Sequence, residues 1–221
     1  DVEAPLGSLL NPRHPAPVRA RMEACSRAWN AVMKALAQAV PERVIACGFD
    51  TTTSFCLSHL RPQGWSVYLE VYGGGFGATA ESDGCDGVDN PLSNCSNTPV
   101  EAMDQDFSFF RVTDYALRPD SAGTGRHRGG AGFIRRIEIL EGGTRLALYS
   151  DRFRRAPEGL FGGGMGATGW CEVERDGQRI PTRSKDQMEL RKGDIVTLAL
   201  GGGAGYGEAA RRDPAALARD I

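Results

Sequence analysis

The densest group of residues able to do chemistry lies in the run 73–101. It opens on three glycines and continues through Asp83, Asp86 and Asp89, the amides Asn90, Asn94 and Asn97, and several hydroxyls. Carboxylates at this density can hold a hard cation or act as a general base, while amides and backbone N–H groups can hold a carbonyl or carboxylate substrate. The spacing demands neither role, and the alternating acids, glycine and distal Glu of a calcium loop are missing. A solvated string of turns has the same composition. So long a loop is nonetheless uncommon inside a compact domain unless it binds something. Asp83, Asp86, Asn94 and Asn97 are therefore candidates for contact with a substrate.

A second constellation, 118–132, joins arginines to glycines, and the guanidinium forks of Arg126 and Arg128 suit an anion. Both join the substrate-binding candidates; the alternative is that an acid such as Asp120 pins a turn through them. No Gly-Lys-Ser/Thr follows, so a nucleotide phosphate loop is not indicated. His127 lies between the two arginines, where nearby cations favour its neutral, basic form, although simple exposure explains it as well. Cys85 and Cys95 have no adjacent histidine to activate them. With three histidines and six cysteines scattered without a CxxC pair, no metal site is expected within this chain. No residue stands out as catalytic.

These groups need elements to position them. Apolar residues at helical spacing over 18–40, among them Trp29, Val32, Met33 and Leu36, predict one long helix whose apolar stripe packs against the core, with Pro41 ending it. Short β-like runs follow at 43–47, 54–60, 65–72, 107–117, 133–140, 145–151, 168–175 and 195–200, separated by Gly, Pro, Asn and Asp. Asp213 and Pro214 open a short last helix over 214–219. The expected fold class is α+β: one long N-terminal helix followed by a β-rich body with glycine-rich loops. In segments, this is a lead-in and helix over 1–41, a β-rich body over 42–207 and a short terminal helix over 208–221. The 29 glycines cluster at 73–77, 123–132, 159–169 and 201–207, as loops at one rim of a sheet would require.

Composition narrows the function classes. The 221 residues are 41% hydrophobic and 24% charged, with a formal net charge of -2, which points to neither a nucleic-acid nor an anionic-membrane partner. No apolar stretch approaches the roughly 20 residues of a membrane span. The cysteines read as reduced cytoplasmic thiols. The first residue is not Met and no leader pattern follows it, which reads as an internal start.

The ordered set of segments 4–12, 73–75 with Asp83 and Gly84, 94–101, 117–130, 159–163, and Gly193-Asp194 with 201–207 resembles the C-terminal portion of the hydantoinase B/oxoprolinase family. The resemblance covers nearly the whole chain. It implies part of an ATP-dependent hydrolase of cyclic amides such as hydantoins and 5-oxoproline. In such an enzyme a hydantoinase A-type partner binds ATP with Mg and activates the substrate. A divalent metal is implied on the N-terminal portion of the B-type polypeptide, which this chain lacks. The family also implies an alternative, a component of an ATP-dependent ketone carboxylase of the acetone or acetophenone type; and because loops rich in Gly, Asn and Arg make interfaces as readily as active sites, a noncatalytic assembly module of such a complex is another.

Overall fold

The computed structural model describes residues 3–18, 22–88 and 98–220. Helix α1 spans Met22–Leu36 and is followed by a 3-10 turn at Pro41–Arg43. Strands β1 (Thr53–Arg61) and β2 (Gly64–Tyr72) form a hairpin, and α2 (Val100–Asp106) precedes β3 (Phe110–Leu117). Then come β4 (Phe133–Ile139), β5 (Thr144–Tyr149), β6 (Trp170–Arg175), β7 (Gln178–Pro181), β8 (Lys185–Leu190) and β9 (Ile195–Ala199). The chain closes with a 3-10 turn at Ala209–Arg211 and α3 (Pro214–Asp220), whose first turn is capped by Asp213 Oδ1 accepting from Ala215 N at 3.2 Å. The fold is thus α+β and β-rich, as its alternating apolar runs require. No described helix is long and apolar enough to cross a membrane.

The strands form two antiparallel sheets, ordered β2-β1-β5-β8 and β3-β4-β9-β6-β7. Alternation sets which residues turn inward. Phe55 and Leu57 of β1, Tyr68 and Tyr72 of β2, Ile137 and Ile139 of β4 and Val196 and Leu198 of β9 meet in one apolar cluster fed by both sheets. A charge pair crosses that interior. Arg135 on β4 donates through Nη1 to Glu70 Oε2 on β2 at 2.7 Å and to Tyr72 OH at 2.9 Å, and its guanidinium lies 4.2 Å from the Tyr115 ring centroid. Glu70 also accepts from Thr98 N at 2.9 Å, which ties the segment entering α2 to the sheet.

The run 43–47 does not form a strand. Only an isolated bridge, Ile45 to Thr79, marks it. Its backbone groups are spent on loops instead: Ala46 N donates to Ala78 O at 2.8 Å, and Cys47 O accepts from Ala204 N at 2.8 Å. The strands β7 and β8 escaped the apolar pattern because exposed Lys, Gln and Glu alternate along them.

The glycine clusters converge on one another, backbone against backbone. Phe49 N donates to Gly75 O at 2.9 Å, Gly75 N to Gly201 O at 3.0 Å, Gly203 N to Gly130 O at 2.8 Å and Gly130 N to Phe76 O at 2.8 Å. A Cβ at Gly203 would lie 1.8 Å from Phe76 O, and one at Gly75 would lie 1.9 Å from Gly130 O. Neither position tolerates a side chain while the carbonyl stays where it is. Gly203→Ala is therefore expected to cost more than about 4 kcal/mol or to prevent folding. Gly142→Ala, where a Cβ meets only Lys192 N at 3.6 Å, should leave the urea midpoint nearly unchanged.

Candidate active site

Two arrangements of polar side chains hang from this stack of loops. The first contains most of the candidates read from the sequence. Asp83 binds Arg212 with both oxygens, at 2.9 and 2.8 Å, and Asp83 Oδ1 accepts from Arg128 N at 2.9 Å. Asp86 binds Arg128 at 2.7 and 3.1 Å and accepts from Ala131 N at 2.6 Å. Asp220 of α3 completes the clasp, taking Arg212 Nε at 2.6 Å and Arg128 Nε at 3.0 Å. The forks of Arg128 and Arg212 are thus filled by acids of the same chain. Arg126 is exposed; its N donates to Gly207 O at 3.1 Å and its O accepts from Arg212 Nη1 at 3.2 Å. His127 Nδ1 lies 3.7 Å from Asp83 Oδ1. Asn94 and Asn97, with Asp89, Asn90 and Cys95, fall outside the described residues.

The second arrangement was not singled out in the sequence. The inner face of α1 is polar: Glu23, Ser26 and Asn30 are buried there with Met33, whereas Trp29, Val32 and Leu36 are 52%, 51% and 41% exposed. Of the apolar stripe expected to pack on the core, Met33 does so, beside Val44, Ala78 and Tyr206, whereas Trp29, Val32 and Leu36 face outward. The reason lies in what α1 covers, a turn at 48–51 whose carbonyls and carboxylate need donors. Arg27 Nη2 donates to Asp50 O at 2.6 Å, Arg152 Nε to Phe49 O at 3.3 Å, and Asn30 Nδ2 to Asp50 Oδ2 at 3.1 Å. Asp50 itself sits in the left-handed region at φ 48°, a conformation that costs a non-glycine residue free energy and clusters at functional sites. Gly48 makes room for it, since a Cβ there would meet Asp50 Oδ1 at 2.4 Å.

Asp50 opens onto a cavity of about 460 Å³ walled by Ala28, Trp29, Val32, Ile45 and Phe76. Burial raises the Asp50 pKa above the ordinary carboxylate value, against the opposing pull of Asn30, Arg27 and Arg152. A carboxyl lifted by burial and held by the Asn30 amide, on a backbone that two guanidiniums fix in place, can exchange a proton with a bound molecule. The sequence signal was slight: Gly48 two residues before an acid, ahead of three threonines. Among the described residues no three His, Cys, Asp or Glu side chains are grouped to hold a metal, so no step is assigned to one in this chain.

The hydantoinase B/oxoprolinase profile matches residues 1–209, and the chain belongs to that family. The B component of a D-/L-hydantoinase from a Pseudomonas sp. is 31% identical over 224 residues, which cover 99% of this chain and 37% of that relative. The chain therefore spans well under half the length of such relatives. The ATP-dependent caprolactamase of Pseudomonas jessenii shares the fold over 100% of this chain and 40% of its own, with a TM-score of 0.83 at 24% identity. A nucleotide-free acetone carboxylase does so over 88% of this chain and 30% of its own, with a TM-score of 0.71 at 17% identity.

The two arrangements answer to pH with opposite signs. Hydrogen bonds from Arg212 hold the Asp83 and Asp220 carboxyls below their ordinary value; burial would raise Asp86, but Arg128 and the Ala131 N–H outweigh it. Stability from these acids is full above the ordinary carboxylate pKa and is lost as pH falls through their depressed folded values. Asp50, being raised, contributes stability that is full below the ordinary value and is lost as pH rises through its folded pKa. Arg212→Gln should accordingly lower the urea midpoint at neutral pH and much less in acid. Asp50→Asn should flatten the decline on the alkaline side of the Asp range.

Proposed function

We propose that this chain is part of an ATP-dependent hydrolase of cyclic amides, of the hydantoinase and oxoprolinase kind, working in the cytoplasm. A hydantoinase A-type partner binds ATP with Mg and activates the ring. The rest of a B-type polypeptide supplies the divalent metal. The observation that carries the reading is the Asp50 carboxyl, raised by burial, at the edge of the α1 cavity in a chain of this family. A cavity of about 460 Å³ is of a size for one small ring.

In the opening of such a ring, water forms a bond to the carbonyl carbon while the C–N bond breaks. Asp50 takes the proton from the attacking water and passes it to the departing nitrogen; where ATP has phosphorylated the carbonyl oxygen, ring opening leaves an acyl phosphate, which a second water cleaves to carboxylate and inorganic phosphate. Asn30 fixes the oxygen that must stay in place, and the apolar wall excludes competing water. The run after β2 supplies the cavity wall at Phe76 and Gly77. Beyond it, Asn94, Asn97 and the Arg126 fork supply donors to the substrate, while Asp83, Asp86 and Arg128 hold the base of that loop in register. The exposed ridge of Trp29, Val32 and Leu36 is the surface on which the remainder of a B-type polypeptide packs.

The ketone carboxylase reading shares this geometry, because an enolate also needs a proton removed beside a carbonyl, and its support is the fold shared with acetone carboxylase. Turnover in the complex reconstituted with the A-type partner and a complete B-type polypeptide separates the readings. Cyclic amide should drive ATP consumption without bicarbonate. Asp50→Asn should lower kcat by about 100-fold or more with assembly unchanged, and the chain alone should show neither ATPase nor amidase activity. ATP use that requires bicarbonate and a ketone would transfer the assignment to the carboxylase. Undiminished turnover in the Asp50→Asn complex would reduce this chain to an assembly module.

A further inference from the structure

Two of the arginines that hold the 48–51 turn, Arg27 and Arg152, also line a surface depression of about 300 Å³, together with Arg154, Arg155, Phe153 and Asp151. Four guanidiniums in so small a space repel one another unless acids neutralise them, and among the described residues no carboxylate forms an ion pair with any of the four. The acids nearby are engaged elsewhere. Asp151 pairs with Lys185, Glu158 with Lys34, and Asp50 with the Asn30 amide. Glu23, one turn before Arg27 on α1, is buried, accepts from Thr52 N at 3.2 Å, and has its pKa raised chiefly by that burial.

The two inner arginines are locked in place. Arg152 adopts φ 59° and spreads its fork over Phe49 O at 3.3 Å, Ala156 O at 3.1 Å and Gly48 O at 3.5 Å. Burial and then the charge of Arg27 lower the Arg152 pKa, against the pull of Cys47 and Asp50. Arg27 spends Nη2 on Phe49 O, Asp50 O and Thr51 Oγ1, and its Nη1 is buried with no hydrogen-bond partner. A buried guanidinium N–H left unpaired is costly. The outer pair, Arg154 and Arg155, is exposed and free to fold over such an acceptor.

We propose that Arg27, Arg152, Arg154 and Arg155 form a binding site for a phosphate-type oxyanion. The exposed guanidinium forks of Arg154 and Arg155 match the tetrahedral oxygens of phosphate, the inner pair, its donors held by carbonyls, adds fixed positive charge beneath them, and Phe153 offers an apolar flank to whatever the phosphate is attached to. The site belongs to the chain's own residues and stands whether or not Asp50 moves a proton. Its place against the same turn puts a phosphorylated or anionic small molecule within one loop's width of the cavity.

Calorimetric titration of the chain with inorganic phosphate, at constant ionic strength made up with chloride, tests this. Saturable binding is expected, lost against chloride alone. Arg154→Ser with Arg155→Ser, both at exposed positions and therefore safe for folding, should weaken it about tenfold or more. Arg179→Ser, on β7 of the five-stranded sheet, should leave it unchanged. Phenyl phosphate binding more tightly than phosphate identifies the phosphoryl group of a larger molecule as the ligand; equal affinity identifies free phosphate. Non-saturable heats, or the double serine variant binding as wild type does, would overturn the site. Activity is not read, so failure here is distinct from failure of the hydrolase assignment.

Discussion

Everything in this chain that could do chemistry is suspended from a contact between backbones. Segments 46–49, 73–79, 123–132, 159–167 and 201–207 are far apart in sequence, yet they exchange main-chain hydrogen bonds at van der Waals distance, with Gly75, Gly130 and Gly203 at the centre. A Cβ at those points would lie 1.8–1.9 Å from a facing carbonyl oxygen and would force the loops of the stack apart. The clasp and the Asp50 turn both depend on this closeness. Arg128 and Ala131 present their N–H groups to Asp83 and Asp86 because 128–131 is pinned to 76 and 203. The turn at 48–51 is held because Phe49 N reaches Gly75 O, and the Phe76 wall of the cavity is the next residue along.

The charges divide according to how they are neutralised. In the core, Glu70 and Arg135 are matched across the two sheets and supported by two tyrosine hydroxyls; breaking such a pair costs about 3–5 kcal/mol, because the remaining ion is left buried. At the rim, Asp83, Asp86 and Asp220 alternate with Arg128 and Arg212, a chain of half-exposed pairs whose value lies in fixing α3 against the loops more than in raw energy. Around the 48–51 turn the pattern breaks. A carboxyl is raised rather than lowered, and guanidiniums bond to carbonyls rather than to acids. Imbalance of that kind is destabilising in a free protein and useful at a site that awaits a ligand.

Helix α1 connects these observations. It turns a polar face inward because the turn beneath it needs donors, and its apolar side is thereby left outward beside the cavity. One helix thus serves as a lid on the Asp50 turn, a wall of the cavity and an exposed ridge. The chain spans 37% of its hydantoinase relative, and the proposed function assigns this ridge to the remainder of such a polypeptide.

Much of this was legible in the residues alone. Alternation of apolar and polar side chains is local, so the hairpin at 53–72 and the strands at 133–139 and 195–199 followed from period two, and Asp213 with Pro214 marked the last helix. The glycine clusters and the ordered motifs indicated the family, because backbone that must touch backbone leaves its signature in residue type. Three things were decided only in the folded molecule. Whether Arg128 meets a ligand or Asp86 depends on loops 42 residues apart in sequence meeting in space. Which face of α1 is buried depends on the hydrogen-bonding needs of the turn it covers, not on its own periodicity. Asp50 becomes distinctive only once a cavity, an amide from α1 and two arginines from distant segments surround it, since a carboxyl acquires its pKa from its neighbours and those neighbours are gathered by the fold.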